Sequence, residues 1–164
     1  MAIDDVRRFF AERDAGYSII EFTQSSATVD LAAAALGVEP ALIAKTLALW
    51  AGDHPVIVVA RGDARLDNRK FKDRFRAKPK MLGPSEVLEV TGHAVGGVCP
   101  FGLRTAVPVF LDVSLREFEV VYPAGGAENT AVRMTPNALQ ELTGGTWIDV
   151  CRTDSSDAAD RLPA

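Results

Sequence analysis

The 164-residue chain is 48% hydrophobic and 24% charged, a globular composition of about one domain's length, which excludes disorder and fibrous order. A chain this long buries roughly 70% of its unfolded surface and needs no metal or disulfide to hold a core. No apolar run approaches the roughly 20 residues of a membrane helix, and the formal net charge of −4 argues at first against a nucleic-acid partner.

In chain order, the start MAIDDVRRFF lacks the basic and apolar regions of a secretory signal. Its Ile3, Val6, Phe9 and Phe10 space as one helical face. A weak strand is expected over Ser18–Phe22. Thr28 or Ser26 can N-cap an alanine-rich helix over Val29–Leu36, with Gly37 suited to its C-terminal side. Pro40 fits the first turn of a short helix, Ala41 to about Lys45. Leu47–Trp50 and Val56–Arg61 read as a hairpin around Gly52, Asp53 and His54.

Next comes a strongly basic stretch. Arg61 to Lys80 holds nine of the 18 Lys and Arg residues and only three acids, so it carries +6 against −10 elsewhere. A basic face on an acidic body can bind a phosphate backbone while net repulsion discourages promiscuous binding. The plainer reading is a solvated helix face, with Leu66, Phe71 and Phe75 as the buried stripe. Further on, a helix over Ser85–Thr91 stops at Gly92, and His93–Gly102 is a loop. Strands are expected over Val107–Asp112, Glu119–Pro123, Thr130–Met134 and Trp147–Val150. A helical turn falls at Leu115–Phe118, and a helix opens at Thr135 and Pro136 and runs to Leu142. The expected fold class is α+β, around one mixed, curved sheet. Residues 1–151 are expected to form one domain, and 152–164 a polar, frayed tail.

Three features can carry chemistry. The loop Gly96-Gly97-Val98-Cys99-Pro100-Phe101-Gly102 combines tight turning with exposable N–H groups, which can hold a carboxylate, a phosphate or an oxyanion. As a turn between helix and strand it also has a purely structural reading. Lys45 is the only Lys or Arg between Arg13 and Arg61. It either meets the negative end of a short helix or projects into a cleft to hold a carbonyl or phosphate. Cys99 with His93 permits a thiol hydrolase, although no nucleophile motif surrounds them. With only Cys99, Cys151 and two histidines, no metal-ligand spacing exists, and neither metal nor cofactor is expected. Two cysteines suit a reduced, cytoplasmic protein.

Three runs in order, SSATVDLAAAALGVEPALIAKTLAL, GHAVGGVCPFG and VVYPAGGAENTAVRMTPNAL, resemble the YbaK/EbsC family, free-standing relatives of the editing insertion domain of bacterial prolyl-tRNA synthetase. The resemblance spans roughly Ala2 to Val150. It implies a mixed, partly barrel-like sheet with helices outside, and hydrolysis of a small amino acid wrongly attached to tRNA, most often tRNA of proline identity. By resemblance, Lys45 orients the terminal ribose-phosphate or ester, and the Gly96–Pro100 loop holds the aminoacyl group through backbone amides, Gly96 and Gly97 foremost. Thr46, Val98, Cys99 and Pro100, with Phe22, Val29 and Leu42 as pocket walls, are the implied substrate contacts. The family often has serine at the position of Cys99, which makes that residue loop filler rather than nucleophile. Thr46 matches the cysteinyl-clearing members, but these carry a serine and an aspartate where Ala124 and Ala131 stand here. Those two losses also admit a non-catalytic tRNA- or synthetase-binding module of the same fold. Arg65, Arg69, Lys70, Lys72, Arg74 and Arg76 are the candidate tRNA contacts, with Arg65, Arg69 and Lys72 expected on one helix face. The implied partners are mischarged tRNA and, transiently, prolyl-tRNA synthetase or another synthetase, with no DNA and no membrane.

Overall fold

The structure, a computed structural model, describes residues 2–153. Five helices (α1 Ala2–Glu12, α2 Val29–Leu36, α3 Asn68–Phe75, α4 Pro84–Thr91, α5 Pro136–Thr143) surround ten strands: β1 Ile20–Glu21, β2 Ile43–Ala51, β3 His54–Arg61, β4 Arg65–Leu66, β5 Lys80–Met81, β6 Val109–Asp112, β7 Tyr122–Pro123, β8 Thr130–Ala131, β9 Thr146–Ile148 and β10 Cys151–Arg152. The class is α+β, as the sequence predicts. The six-stranded sheet runs β5-β2-β3-β6-β9, with β7 also on β2. It is mixed: β2 and β3 are antiparallel, whereas β6 runs parallel to both β3 and β9. The sheet stays open rather than closing into a barrel, with β9 at one edge and β5 and β7 at the other. Two antiparallel pairs, β1 with β8 and β4 with β10, add small sheets.

Alternation along the two long strands explains the layers. Ala44, Ala48, Ile57 and Val59 face a core that also takes Val6 and Phe10 from α1, Val87 from α4 and Leu139 from α5. Leu49, Val56, Val58 and Ala60 face a second core closed by Phe71 of α3, Val150 and Cys151. Local signals place the helix ends as the sequence predicts. Thr28 Oγ1 accepts from Leu31 N, and Gly37 leaves α2 in the left-handed region. Thr135 caps α5 in the same way.

Three expectations need correction. The turn after Pro40 is a 3₁₀ turn, Pro40–Leu42, and ends before Lys45. β2 begins at Ile43 instead, because Ile43 and Ala44 are recruited by parallel pairing with Tyr122 and Pro123. Arg65 and Leu66 are strand rather than helix: they pair with Arg152 and Cys151, and Asp67 caps α3 only afterwards. Arg65 therefore shares no helix face with Arg69 and Lys72. Arg152 is likewise a strand residue, and residues 154–164 of the expected tail lie outside the described residues.

One topological detail positions the site. β3 occupies one edge of β2, so β7 and β5 must share the other. β7 takes Ile43 and Ala44 in parallel, and β5 takes Leu49 and Trp50 antiparallel. Between them, residues 45–48 have no strand partner on that side among the described residues. The sheet forks there.

Candidate functional site

A cavity of about 310 Å³ fills this fork. Its walls come from Ser26–Val29, from Ile43–Thr46 and Ala48 of β2, from Leu82 and Val87 below, and from Val95, Gly96, Val98, Tyr122, Ala124, Thr130 and Ala131. Among the described residues, six of those lining it are alanine, the only charged one is Lys45, and none brings a carboxylate, imidazole or thiol.

Lys45 is half-buried, and its Nζ donates to the carbonyl of Ala64. Desolvation lowers its pKa below the ordinary value, with Cys151 and Asp63 opposing the shift and Arg65 adding to it. Thr46 points to the opposite face of β2, and its buried Oγ1 has no partner.

The far wall is built from three interlocked loops. Ser26 donates through both N and Oγ to the Glu128 carbonyl, and Phe22 and Asn129 exchange two hydrogen bonds. Buried Thr130 knots the turn, its Oγ1 accepting from Gly125 N and Ala127 N and donating to Ala127 O. The Gly96–Gly97 segment is wedged against both other loops. Gly96 has φ +96, and a Cβ on it would lie 3.0 Å from the Ala27 Cβ; a Cβ on Gly97 would lie 2.7 Å from the Ala127 backbone. Only glycine tolerates that approach.

Of the residues the sequence points to, Lys45, Thr46, Val29, Gly96 and Val98 meet at the cavity. Gly97 does not line it, and its N–H donates to Ala94 O at 3.0 Å; its amide is committed within the loop. The N–H groups of Gly96 and Val98 have no acceptor among the described residues. Cys99 and Pro100 are buried beneath the loop, and Phe22 and Leu42 are half-buried outside the lining. The sequence reading missed Ile43, Leu82, Val87, Val95, Tyr122 and Thr130 as cavity walls. Tyr122 and Ile43 meet only through a long-range parallel pairing, which leaves no local sequence signal.

The Cys99–His93 pair is not a nucleophile and its base. Both side chains have 0% exposure. His93 Nε2 lies 2.7 Å from the Phe101 carbonyl, which can only accept, so Nε2 carries the proton and cannot take one from the Sγ 3.7 Å away. Burial pushes the thiol pKa up to about 12. The remaining ring atom, His93 Nδ1, is buried without a partner.

Residues 23–142 match the aminoacyl-tRNA editing domain. The chain belongs to that family. It is 46% identical over 154 residues to YwhH of Bacillus subtilis, a protein of uncharacterized function, covering 93% of this chain and 98% of YwhH. It is 26% identical over 147 residues to a proposed Cys-tRNA(Pro)/Cys-tRNA(Cys) deacylase, EbsC of Enterococcus faecalis, covering 87% and 90% of the two chains. Among solved structures, a proposed trans-editing enzyme for prolyl-tRNA synthetase superposes with a TM-score of 0.85 at 32% identity, covering 92% of this chain and 97% of that one.

On this editing domain the basic segment is split between elements. Arg65 stands exposed on β4, α3 carries Arg69, Lys70, Lys72 and Arg74, and Arg76 follows in the left-handed region. Lys70 is engaged, its Nζ bonding Asp149 and the Cys151 carbonyl, both at 3.0 Å. The Arg74 guanidinium lies over the Phe75 and Phe110 rings. Among the described residues no helix is long and apolar enough to cross a membrane.

Proposed function

We propose that this chain is a trans-acting hydrolase that removes a wrongly attached small amino acid from tRNA, of proline identity, in the cytoplasm where tRNA is charged. The observation that carries the reading is Lys45, the single charged residue among the described residues lining an alanine-rich cavity, together with Gly96 and Val98 on the same lining, whose N–H groups have no acceptor among the described residues. An aminoacyl ester is already activated. Water attacks its carbonyl carbon, the ester C–O bond breaks, and the ribose oxygen leaves with a proton, releasing free amino acid and tRNA. The protein contributes placement and electrostatic stabilisation. Lys45 holds the terminal ribose-phosphate or the ester, the Gly96 and Val98 amides face the developing oxyanion, and Thr46, Val29 and the alanine methyls bound the aminoacyl side chain. Gly97 acts by close packing against Ala127. The family membership and the proposed activities of EbsC and of the solved trans-editing enzyme support the reading, as they do brief contact with prolyl-tRNA synthetase.

A second reading is a non-catalytic tRNA- or synthetase-binding module, favoured by the absence of any carboxylate, imidazole or thiol from the cavity lining among the described residues. A panel of mischarged tRNAs, followed for ester loss, decides between them. Hydrolysis of alanyl-, seryl- or threonyl-tRNA ahead of cysteinyl-tRNA is expected. Binding without ester loss across the panel would establish the module.

A further inference from the structure

Met81 and Val95 stand on the rim of the cavity as exposed apolar side chains, at 52% and 59% exposure. Val95 also lines a second hollow of about 480 Å³ behind the Gly96–Gly97 wall, together with Leu88 at 46% exposure. Two of the six exposed large apolar side chains among the described residues therefore stand at one cavity mouth. Scattered singly such residues need no explanation, but a cluster at the entrance to a site marks a binding surface.

We infer that this rim is the platform on which the base of the terminal tRNA nucleotide stacks. The inference rests on the hydrolase reading above. If the ester enters the cavity, the base on the same ribose emerges one sugar away, at the mouth. Every nucleobase has an aromatic face, whatever the sequence, and the thioether of Met81 makes favourable contacts with aromatic rings. Charge on both sides fits a nucleotide better than a protein surface. Lys45 lies inside the cavity, and the basic segment ends at Lys80, an exposed residue adjoining Met81. Phosphates can follow that segment to the rim.

The test is a cycle on an acceptor-stem minihelix carrying a hydrolysed amino acid, with either the normal terminal base or an abasic terminal ribose. For the wild type, removing the base should raise KM by roughly 2- to 10-fold, the scale of a thioether–ring contact, with kcat within about twofold. In Met81→Ser/Val95→Ser, KM for the base-bearing minihelix should rise to the wild-type abasic value, and removing the base should cost nothing more. Both side chains are exposed, so the variant should fold normally, and Met81→Leu should retain most of the affinity. The same cycle is measured as Kd with a non-hydrolysable 3′-amide of each minihelix. If the wild type turns over neither ester, the hydrolase reading fails, while the Kd cycle still decides the platform. A base whose removal costs the variant as much as the wild type would overturn the platform. So would unchanged minihelix kinetics with a defect only when prolyl-tRNA synthetase is added, which would give the rim to a protein partner.

Discussion

The ammonium of Lys45 is tied to the backbone carbonyl of Ala64, so the single charge in the cavity is anchored by the segment that opens the basic stretch. The bond joins β2 to the turn before β4 and aims a long, flexible side chain. Lys45→Ala should lower deacylation roughly 100-fold or more, the scale of a lost positioning and electrostatic contact. A thermal midpoint close to wild type would place the loss in the site. Because burial lowers the Lys45 pKa, activity that depends on the charged form should fall at alkaline pH, with an inflection below the ordinary 10.5. The measurement is the enzyme-dependent rate after subtracting spontaneous ester hydrolysis. Near-wild-type turnover by Lys45→Ala would remove the residue from the mechanism.

Gly96 and Gly97 should separate into two kinds of damage. On Gly97 a methyl would meet the Ala127 backbone at 2.7 Å, so Gly97→Ala should destabilise by about 1–3 kcal/mol, read in a denaturant titration. Gly96→Ala places a side chain at φ +96 on the cavity wall. It should reduce kcat by about tenfold or more at temperatures where the variant is folded.

Cys99 is sealed under the loop with its thiol pKa pushed up to about 12, so no thiolate forms at neutral pH. Cys99→Ser should remain active, since a hydroxyl can also donate to the Phe101 carbonyl, and iodoacetamide should leave the native enzyme untouched. Abolition of turnover by either treatment, with the fold intact, would restore a thiol mechanism.

His93 should make the fold acid-sensitive. Burial holds its pKa below the ordinary 6.5, so it stays neutral in the folded chain while the unfolded chain protonates. The stability it contributes is complete above pH 6.5 and is lost as pH falls toward the folded pKa. His93→Gln should flatten the dependence of the unfolding free energy on pH below 6.5. An identical slope in wild type and variant would show that other groups set it.

Arg65, Arg69 and Lys72 are exposed and make no ion pair among the described residues. Replacing all three with alanine should weaken binding of every tRNA alike, and should flatten the salt slope by very roughly one unit per lost phosphate contact. Unchanged affinity and slope would reduce the segment to a solvated surface.

The sequence by itself determined the elements whose causes are local. Gly37, Gly92, Thr135 and Pro136 bound their helices because caps and turns act within a few residues, and of the two N-cap candidates for α2 the structure uses Thr28 rather than Ser26. The hairpin of β2 and β3 followed from two β-prone runs around Gly52 and Asp53. Lys45 and the glycine loop stood out as candidates, each with a plainer structural reading beside the functional one. Tertiary structure decided the rest. Ile43 and Ala44 leave the helix expected after Pro40 because Tyr122 pairs with them from across the chain. Arg65 becomes a strand residue because Arg152 lies opposite it. Which loop glycine is committed within the loop was decided the same way: Gly97 donates to Ala94, while Gly96 lines the cavity. The cavity exists because β5 and β7 divide one edge of β2, and partners that distant in sequence leave no periodicity to read. Local stereochemistry is written residue by residue, whereas a strand's edge partner depends on which distant segments compete for its backbone groups.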